Sequence, residues 1–386
     1  MRLLVLTELF LPTKGGTAVW AAEVYRRLGG KEIHILTADV PGASAVDAGH
    51  PNSIHRLKLG RVPWLRPESL LMYWRLFVLS LKLSLGRRFD GIHAFRALPE
   101  GMVAWSVGKL TLRPVTIYVH GEELTTWGRG KKYKAMSFAL RHADRVIANS
   151  EYTCEALIRM GVKPGRISVI YPGVDTCRFR PGLACDDLKQ RLGLRDGEKL
   201  IVSVGRLSRR KGFDRVILVL PGLLSRGIKV RYAIIGIGTD EHYLRELAVR
   251  TGVESYVHLL GNVTMEDLPR WYNAADVFAM PNREIDGDTE GFGMVFIEAA
   301  ACGTPVLAGI AGGTAAAVVH DVNGYRVDGS SNKEILDHLE LLLRDSETAE
   351  KFGRSGCMLV QQRYSWEIVA EKTRAVAGGS IANGEE

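Results

Sequence analysis

The sequence predicts an α/β protein made of two doubly wound parallel-sheet domains. Short apolar runs, each ending in a loop of glycine and charged residues and followed by an apolar-periodic helix, recur along the chain, which is the alternation of a parallel sheet with crossover helices. The series occurs once before residue 171 and starts again at residue 200, and the stretch 171–197 between them, rich in Pro, Gly and charge, reads as a linker. At 386 residues with 46% hydrophobic and 24% charged composition, the chain is long enough for two cores and has the balance of a globular protein.

The first series opens with Leu3 to Leu6, a buried strand, then a loop ending in Gly15-Gly16 and an apolar-periodic helix from about Ala18 to Leu28. Glycines between a strand and a helix let backbone approach a phosphate at the helix N-terminus, although a plain flexible loop has the same sequence. Strands follow at Glu32 to Thr37, His50 to Arg56 and Gly91 to Phe95. The segment 65–88 between the last two is apolar nearly all round, but Arg75 and Lys82 interrupt it and it is too short to span a bilayer. Its rim of Lys58, Arg61, Trp64, Arg66, Arg87 and Arg88 suits a helix or hairpin resting on an anionic membrane; a core helix is the alternative. Val115 to Val119 is a strand ending at His120-Gly121-Glu122, which puts a histidine where a ligand would lie. Lys131, Lys132 and Lys134 form a basic cluster before a helix from about Lys134 to His142, and Asp144 to Ser150 is a strand ending in polar residues. Ser150 caps the next helix, which Gly161 ends, and stands as a candidate acceptor contact. Ile167 to Ile170 completes the sheet.

Leu200 to Val204 opens the second series and leads into the loop Gly205-Arg-Leu-Ser-Arg-Arg-Lys-Gly212, with a helix from near Phe213. Arg206 and Lys211 on this loop can converge on a diphosphate, Arg as a planar fork and Lys as a point charge; two exposed basic side chains are the plainer reading. Strands at Val230 to Ile235 and Val257 to Leu260 follow, then a helix from Asp267 to Ala274 and a strand at Val277 to Met280. After the polar loop Asn282 to Asp288 comes EGFGMVFIEAAACGTP, with Glu290 and Glu298 eight residues apart and a Gly291-Phe292-Gly293 turn between them. The apolar run Met294 to Ala301 reads as a short helix whose glycine-lined N-terminus suits a phosphate, with Glu290 just outside it and Glu298 within. Val306 to Ala308 is a strand, followed by Gly312-Gly313, and the chain ends in an amphipathic helix to about Ala377 and a tail.

Net charge is +8, but residues 1–178 carry 26 Lys+Arg against 14 Asp+Glu while the rest carries 25 against 29. The basic half therefore faces something anionic, a membrane surface or an acidic acceptor; no nucleic-acid-binding motif accompanies it. The five cysteines, at 154, 177, 185, 302 and 357, show no CxxC spacing, and the apolar start MRLLVLTELFLP has no small-residue cleavage site. A reduced cytosolic setting without metal or disulfide framework is expected. Neither a GxGxxG fingerprint nor a GxxxxGK[ST] loop is present, which disfavours a dehydrogenase and an ATPase.

Taken together, the Gly15-Gly16 loop, His120, GRLxxxKG at 205–212, Glu290 with Glu298, and the order ADVFAMP, EGFGMVFIEAAACGTPV, GG, NGY make the chain resemble the retaining nucleotide-sugar glycosyltransferases of family 4, over nearly its full length. REIDGDTEGFGMVFIEAAACGTPVLAGIAGG is most similar to the branch that mannosylates phosphatidylinositol mannosides. The resemblance implies a GT-B fold of two Rossmann-like domains facing across a cleft. Residues 1–178 with 365–386 would be the acceptor domain and 179–364 the donor domain, the C-terminal helix crossing back to the first. It further implies that Arg206 and Lys211 hold the diphosphate, Glu298 the ribose, and Glu290 with Phe292 to Met294 the transferred sugar. Gly16 would contact phosphate, His120 the sugar and Val263 the base. GDP-mannose is the expected donor and a membrane lipid or lipid-linked glycan the acceptor, at the cytoplasmic face of the membrane. No metal is expected, although Asp286-Gly-Asp288 looks like the DxD motif of another glycosyltransferase fold. A UDP-sugar enzyme with a small soluble, polysaccharide or lipopolysaccharide acceptor is the near alternative, and a non-catalytic sugar-nucleotide binder the more distant one. One departure stands out: Ala316 occupies the place, three residues after the second Gly-Gly, where the family often has a glutamate.

Overall fold

The computed structural model of the chain describes residues 1–60, 68–126 and 130–379. The chain divides into two compact units, Met1–Pro172 with the segment from Trp366 onward, and Gly173–Ser365.

In unit 1, β1 (Leu3–Leu6), β2 (Ile33–Ala38), β3 (Ser53–Leu57), β4 (Gly91–Ala94), β5 (Val115–Val119), β6 (Arg145–Ala148) and β7 (Ile167–Val169) form one sheet. Its order is β3-β2-β1-β4-β5-β6-β7 and every pairing is parallel. The runs LLVL and VTIYV are buried at every position, as strands covered on both faces must be. The helices that cover them are α1 (Gly16–Leu28), α2 (Ala43–Gly49), α3 (Leu70–Gly86), α4 (Met102–Thr111), α5 (Glu122–Thr126), α6 (Lys131–His142) and α7 (Glu151–Arg159). Strand order reverses between β1 and β4, so the loops leaving their carboxyl ends open the crevice where such sheets take ligands.

Where it is described, the 65–88 segment is a helix with one face in the core and apolar side chains exposed on another. α3 buries Met72, Leu76, Ser80 and Ser84 against the core, while Leu70, Trp74, Val78 and Leu85 are exposed. Arg61, Trp64 and Arg66 of its expected rim lie outside the described residues. No helix among the described residues is long and apolar enough to cross a membrane.

Unit 2 corrects one expectation at its start. The stretch 171–197 is not a bare linker: unit 2 begins at Gly173, Val174 bridges to Ser365, and α8 (Asp186–Arg191) buries Leu188. The reason is tertiary, since Arg270 bonds the Ala184 carbonyl and the Asp187 carboxylate and ties this polar segment down. The sheet consists of β8 (Lys199–Val204), β9 (Val230–Ile235), β10 (Val257–Gly261), β11 (Val277–Met280), β12 (Val306–Gly309) and β13 (Gly324–Val327), ordered β10-β9-β8-β11-β12-β13 and parallel throughout. It is flanked by α9 (Phe213–Ser225), α10 (Glu241–Arg250), α11 (Leu268–Ala274), α12 (Met294–Ala301), α13 (Asn332–Arg344) and α14 (Ser346–Arg363). Here strand order reverses between β8 and β11. Finally α15 (Trp366–Gly378) belongs to unit 1, where Arg27 pairs with Glu367 at 2.9 Å and Trp366, Val369, Thr373 and Val376 are buried.

Candidate functional site

The loops that follow β8 and β11 converge at the reversal point of the second sheet. The first carries Arg206, Arg210 and Lys211 and the second Asp288 and Glu290. Backbone draws them together: the Arg283 amide donates to the Arg210 carbonyl at 2.8 Å, and the Arg283 guanidinium forks onto buried Asp214 at 3.0 and 2.8 Å. Glu290 Oε2 accepts from Arg210 Nη1 at 3.0 Å and from Lys211 Nζ, while Arg210 Nε pairs with Asp288 at 3.1 Å. Burial pushes the Glu290 carboxyl up, but Lys211 and Arg210 beside it reverse that and hold it below its ordinary value, so it is an anion at neutral pH.

The backbone of the loop before α12 is pinned from the turn that follows β12. Gly313 N–H donates to the Glu290 carbonyl at 2.8 Å. Gly312 lies so close, at φ +73°, that a Cβ there would stand 2.1 Å from that oxygen. Gly291, Phe292 and Gly293 are buried, Phe292 edge-on to Tyr364 at 5.9 Å. Gly293 (φ +89°) turns the chain into α12, whose first residue is Met294. Glu298 sits on that helix with Tyr272 donating to its Oε2 at 2.8 Å. Burial pushes the Glu298 carboxyl up to about 7, the tyrosine bond partly opposing it. Arg206 is exposed on the β8 loop, and Val263 is half-buried on the loop after β10. Asp288 of the DxD-like triplet is engaged by Arg210, and Asp286 is exposed at φ +51°.

In unit 1, Gly15 and Gly16 are exposed where α1 begins, and His120 ends the strand beside β4. The His120 imidazole Nε2 lies 2.8 Å from the Phe95 carbonyl, which can only accept, so Nε2 carries the proton and Nδ1 is the bare nitrogen. Its amide donates to Glu123 and its carbonyl accepts from Asn149. Trp20 of α1 packs edge-on against the ring at 5.4 Å. Burial pulls its pKa down to about 4, which leaves it neutral. Ser150 is fully buried and its hydroxyl accepts from Thr153 N–H as the cap of α7; its placement is that of a capping residue.

Unit 2 thus carries Lys211, Glu290 and Gly291 to Gly293 on adjoining loops and Met294 and Glu298 on α12, with His120 and Gly15-Gly16 in unit 1. Sequence reasoning singled out none of Arg210, Tyr272 and Asn282, and took Asp288 only as part of the DxD-like triplet. Asn282 is buried, takes the Gly309 amide at 3.0 Å and donates to the Ala311 carbonyl at 2.8 Å. A run of three cations, Arg209-Arg210-Lys211, was the only signal for Arg210. Also unsignalled is Glu100 at the reversal point of unit 1. It is fully buried, accepts the Glu8 amide at 2.7 Å, and is pushed up to about 7 by burial against the pull of Arg96.

Comparison with known proteins bears on this arrangement. Residues 14–178 match the family described as Glycosyltransferase Family 4, and residues 185–357 the one described as Glycosyl transferases group 1. The chain is 32% identical over 382 residues, 96% of each protein, to the GDP-mannose-dependent alpha-(1-6)-phosphatidylinositol monomannoside mannosyltransferase of Mycobacterium tuberculosis. It is 31% identical over 290 residues, 74% of this chain and 75% of the relative, to the GDP-mannose-dependent monoacylated alpha-(1-6)-phosphatidylinositol monomannoside mannosyltransferase of Corynebacterium glutamicum. Among solved structures, Anabaena HepE in complex with UDP and glucose superposes with a TM-score of 0.82 at 20% identity, covering 98% of this chain and 99% of that one. Sucrose-phosphate synthase from Thermosynechococcus elongatus gives 0.76 at 22%, covering 97% and 98%. At those identities the likeness is one of fold.

Proposed function

We propose that the chain, which belongs to the family 4 glycosyltransferases and is an enzyme that transfers sugar, moves mannose from GDP-mannose to an inositol-containing membrane lipid. The observation that carries this choice of donor and acceptor is the 32% identity, across 96% of both proteins, with an enzyme named for that donor and lipid. The site chemistry agrees with it. Arg206 and Lys211 are the cations for the diphosphate, on which negative charge grows as the sugar–phosphate bond breaks. The backbone at the start of α12 adds N–H donors. Glu290 holds sugar hydroxyls, Glu298 the ribose, Val263 lines the base, and Gly16 and His120 serve from unit 1.

In this reading the transfer is retaining and needs no metal, the two cations doing the work of a divalent ion. The departing phosphate oxygen takes the acceptor hydroxyl's proton as the new bond forms on the same face. The protein meets its lipid peripherally, at the cytoplasmic face of the membrane. The support is α3, which exposes Leu70, Trp74, Val78 and Leu85, and the absence of any Asp or Glu on α3, α4 and α6, which together carry Arg75, Lys82, Lys109, Lys131, Lys132, Lys134 and Arg141. Apolar and cationic side chains without carboxylates suit an anionic interface.

The test is thermal stabilisation by GDP, UDP, GDP-mannose and UDP-glucose, each with and without magnesium, followed by transfer of labelled mannose to phosphatidylinositol mannoside vesicles. A metal-independent rise in midpoint with the GDP pair alone, and label in the lipid, is the expected result. A shift with the UDP pair alone would transfer the proposal to a UDP-sugar and another acceptor. Binding without turnover on any acceptor would favour the non-catalytic reading.

A further inference from the structure

Glu290 is held by two cations, and they are not held alike. Lys211 has Glu290 as its only recorded side-chain partner among the described residues. It is a point charge on a flexible stem. Arg210 is fixed from several sides: Nη1 on Glu290 at 3.0 Å, Nε on Asp288 at 3.1 Å, and its carbonyl under the Arg283 amide at 2.8 Å. Arg283 in turn is locked to Asp214. Both cations meet the same oxygen, Oε2, and Oε1 has no hydrogen-bond partner among the described residues.

A diphosphate carries more charge than one carboxylate, so it will draw Lys211 toward itself. A carboxylate only 12% exposed that lost its sole cation would be a buried unpaired charge, which is costly. With Arg210 in place that state does not arise.

We propose that Arg210 is a positioning residue for sugar recognition: it keeps Glu290 in place, with Oε1 open to a hydroxyl of the donor's sugar, when Lys211 turns to the diphosphate. The inference rests on the donor-site reading above and adds a division of labour within the Arg-Lys pair, one cation for the phosphates and the other for the carboxylate.

The experiment is calorimetric binding to the full chain of GDP-mannose against GDP, and of UDP-glucose against UDP in parallel, for the unaltered protein, Arg210→Gln, Glu290→Gln and the double variant. The expected result is that each single variant weakens the nucleotide sugar by roughly tenfold, the loss of one charge-assisted hydrogen bond. The bare nucleotide should change by no more than about twofold, and the double variant should bind like either single one, because both changes remove the same contact. Arg210→Lys, which keeps a cation in reach, should recover most of the affinity, whereas a merely structural role would lower sugar nucleotide and bare nucleotide binding together. Equal loss for both ligands would make Arg210 a diphosphate contact and overturn the proposal, as would multiplied losses in the double variant or unchanged binding in Arg210→Gln. Should the unaltered protein bind none of the four ligands, the donor reading itself falls and this inference with it.

Discussion

In the proposed donor site Lys211 would have two anionic partners for one charge, Glu290 in the free protein and the diphosphate in the loaded one. Removing it therefore acts mainly where phosphate charge grows. Lys211→Ala and Arg206→Ala are each expected to lower kcat/KM by roughly a hundredfold or more, the usual cost of losing one group that stabilises developing charge. Steady-state kinetics beside a melting curve checks this, and near-normal turnover in both folded variants would remove the diphosphate assignment. At this scale the sequence shows residue types and loop positions but not side-chain partners. Glu290, Lys211 and His120 stand out because glycine turns and strand ends surround them. The Arg210–Glu290 bond joins residues 80 positions apart and leaves no local trace. Ser150 was legible as a helix cap, and its hydroxyl accepts from the Thr153 amide as that reading expects.

Among elements, the loops bear the closest tolerances. Gly312→Ala would place a methyl group against the Glu290 carbonyl at a backbone angle that alanine avoids. It should cost on the order of 1–3 kcal/mol and weaken nucleotide-sugar binding. Gly287→Ala is the control, since it shares a positive φ of +80° but has open space around it. Melting curves of the two should separate, and equal midpoints would count against the pinned loop. α3 yields a second test. Trp74→Ser with Leu85→Ser should reduce flotation with anionic vesicles severalfold and leave the melting midpoint nearly unchanged, because both side chains are exposed; unaltered flotation would move the membrane contact elsewhere. The strands up to β12 and the helices α1, α3 and α12 were legible from the sequence, but β13, α13 and, above all, α14 were not. Its Gly353 and Gly356 look like breaks, yet a Cβ at Gly353 would stand 2.1 Å from the Gly303 carbonyl and one at Gly356 would stand 3.1 Å from Ala300. These glycines let the helix lie close against its neighbour, a tertiary reason that single-sequence propensity does not carry.

For the whole molecule, stability should depend on pH from both sides. Glu100 and Glu298 are raised by burial from 4.5 to about 7. The folded chain therefore holds more protons than the unfolded one between those values, and stability falls as pH rises through that window. His93 and His120 are lowered by burial from 6.5 to about 3 and about 4, so their contribution is present above 6.5 and is lost as pH falls toward those values. The melting midpoint is expected to peak near pH 6 and to decline on either side. In Glu100→Gln the decline between pH 6 and pH 8 should be shallower by a few degrees; an unchanged alkaline slope would show that Glu100 is ionised in the native protein.

The position of α15 has a consequence for how the chain is made. Unit 1 is completed by a helix that the ribosome delivers only after all of unit 2, roughly 200 residues later, a delay on the order of ten seconds or more at ordinary rates of synthesis. Until then α1 lacks the partner that Trp366, Val369 and Val376 provide. A nascent chain halted at Pro172 should therefore recruit chaperones and resist expression as an isolated fragment. An internal deletion of Gly173–Ser365 that joins Pro172 directly to α15 would be the way to obtain unit 1 alone.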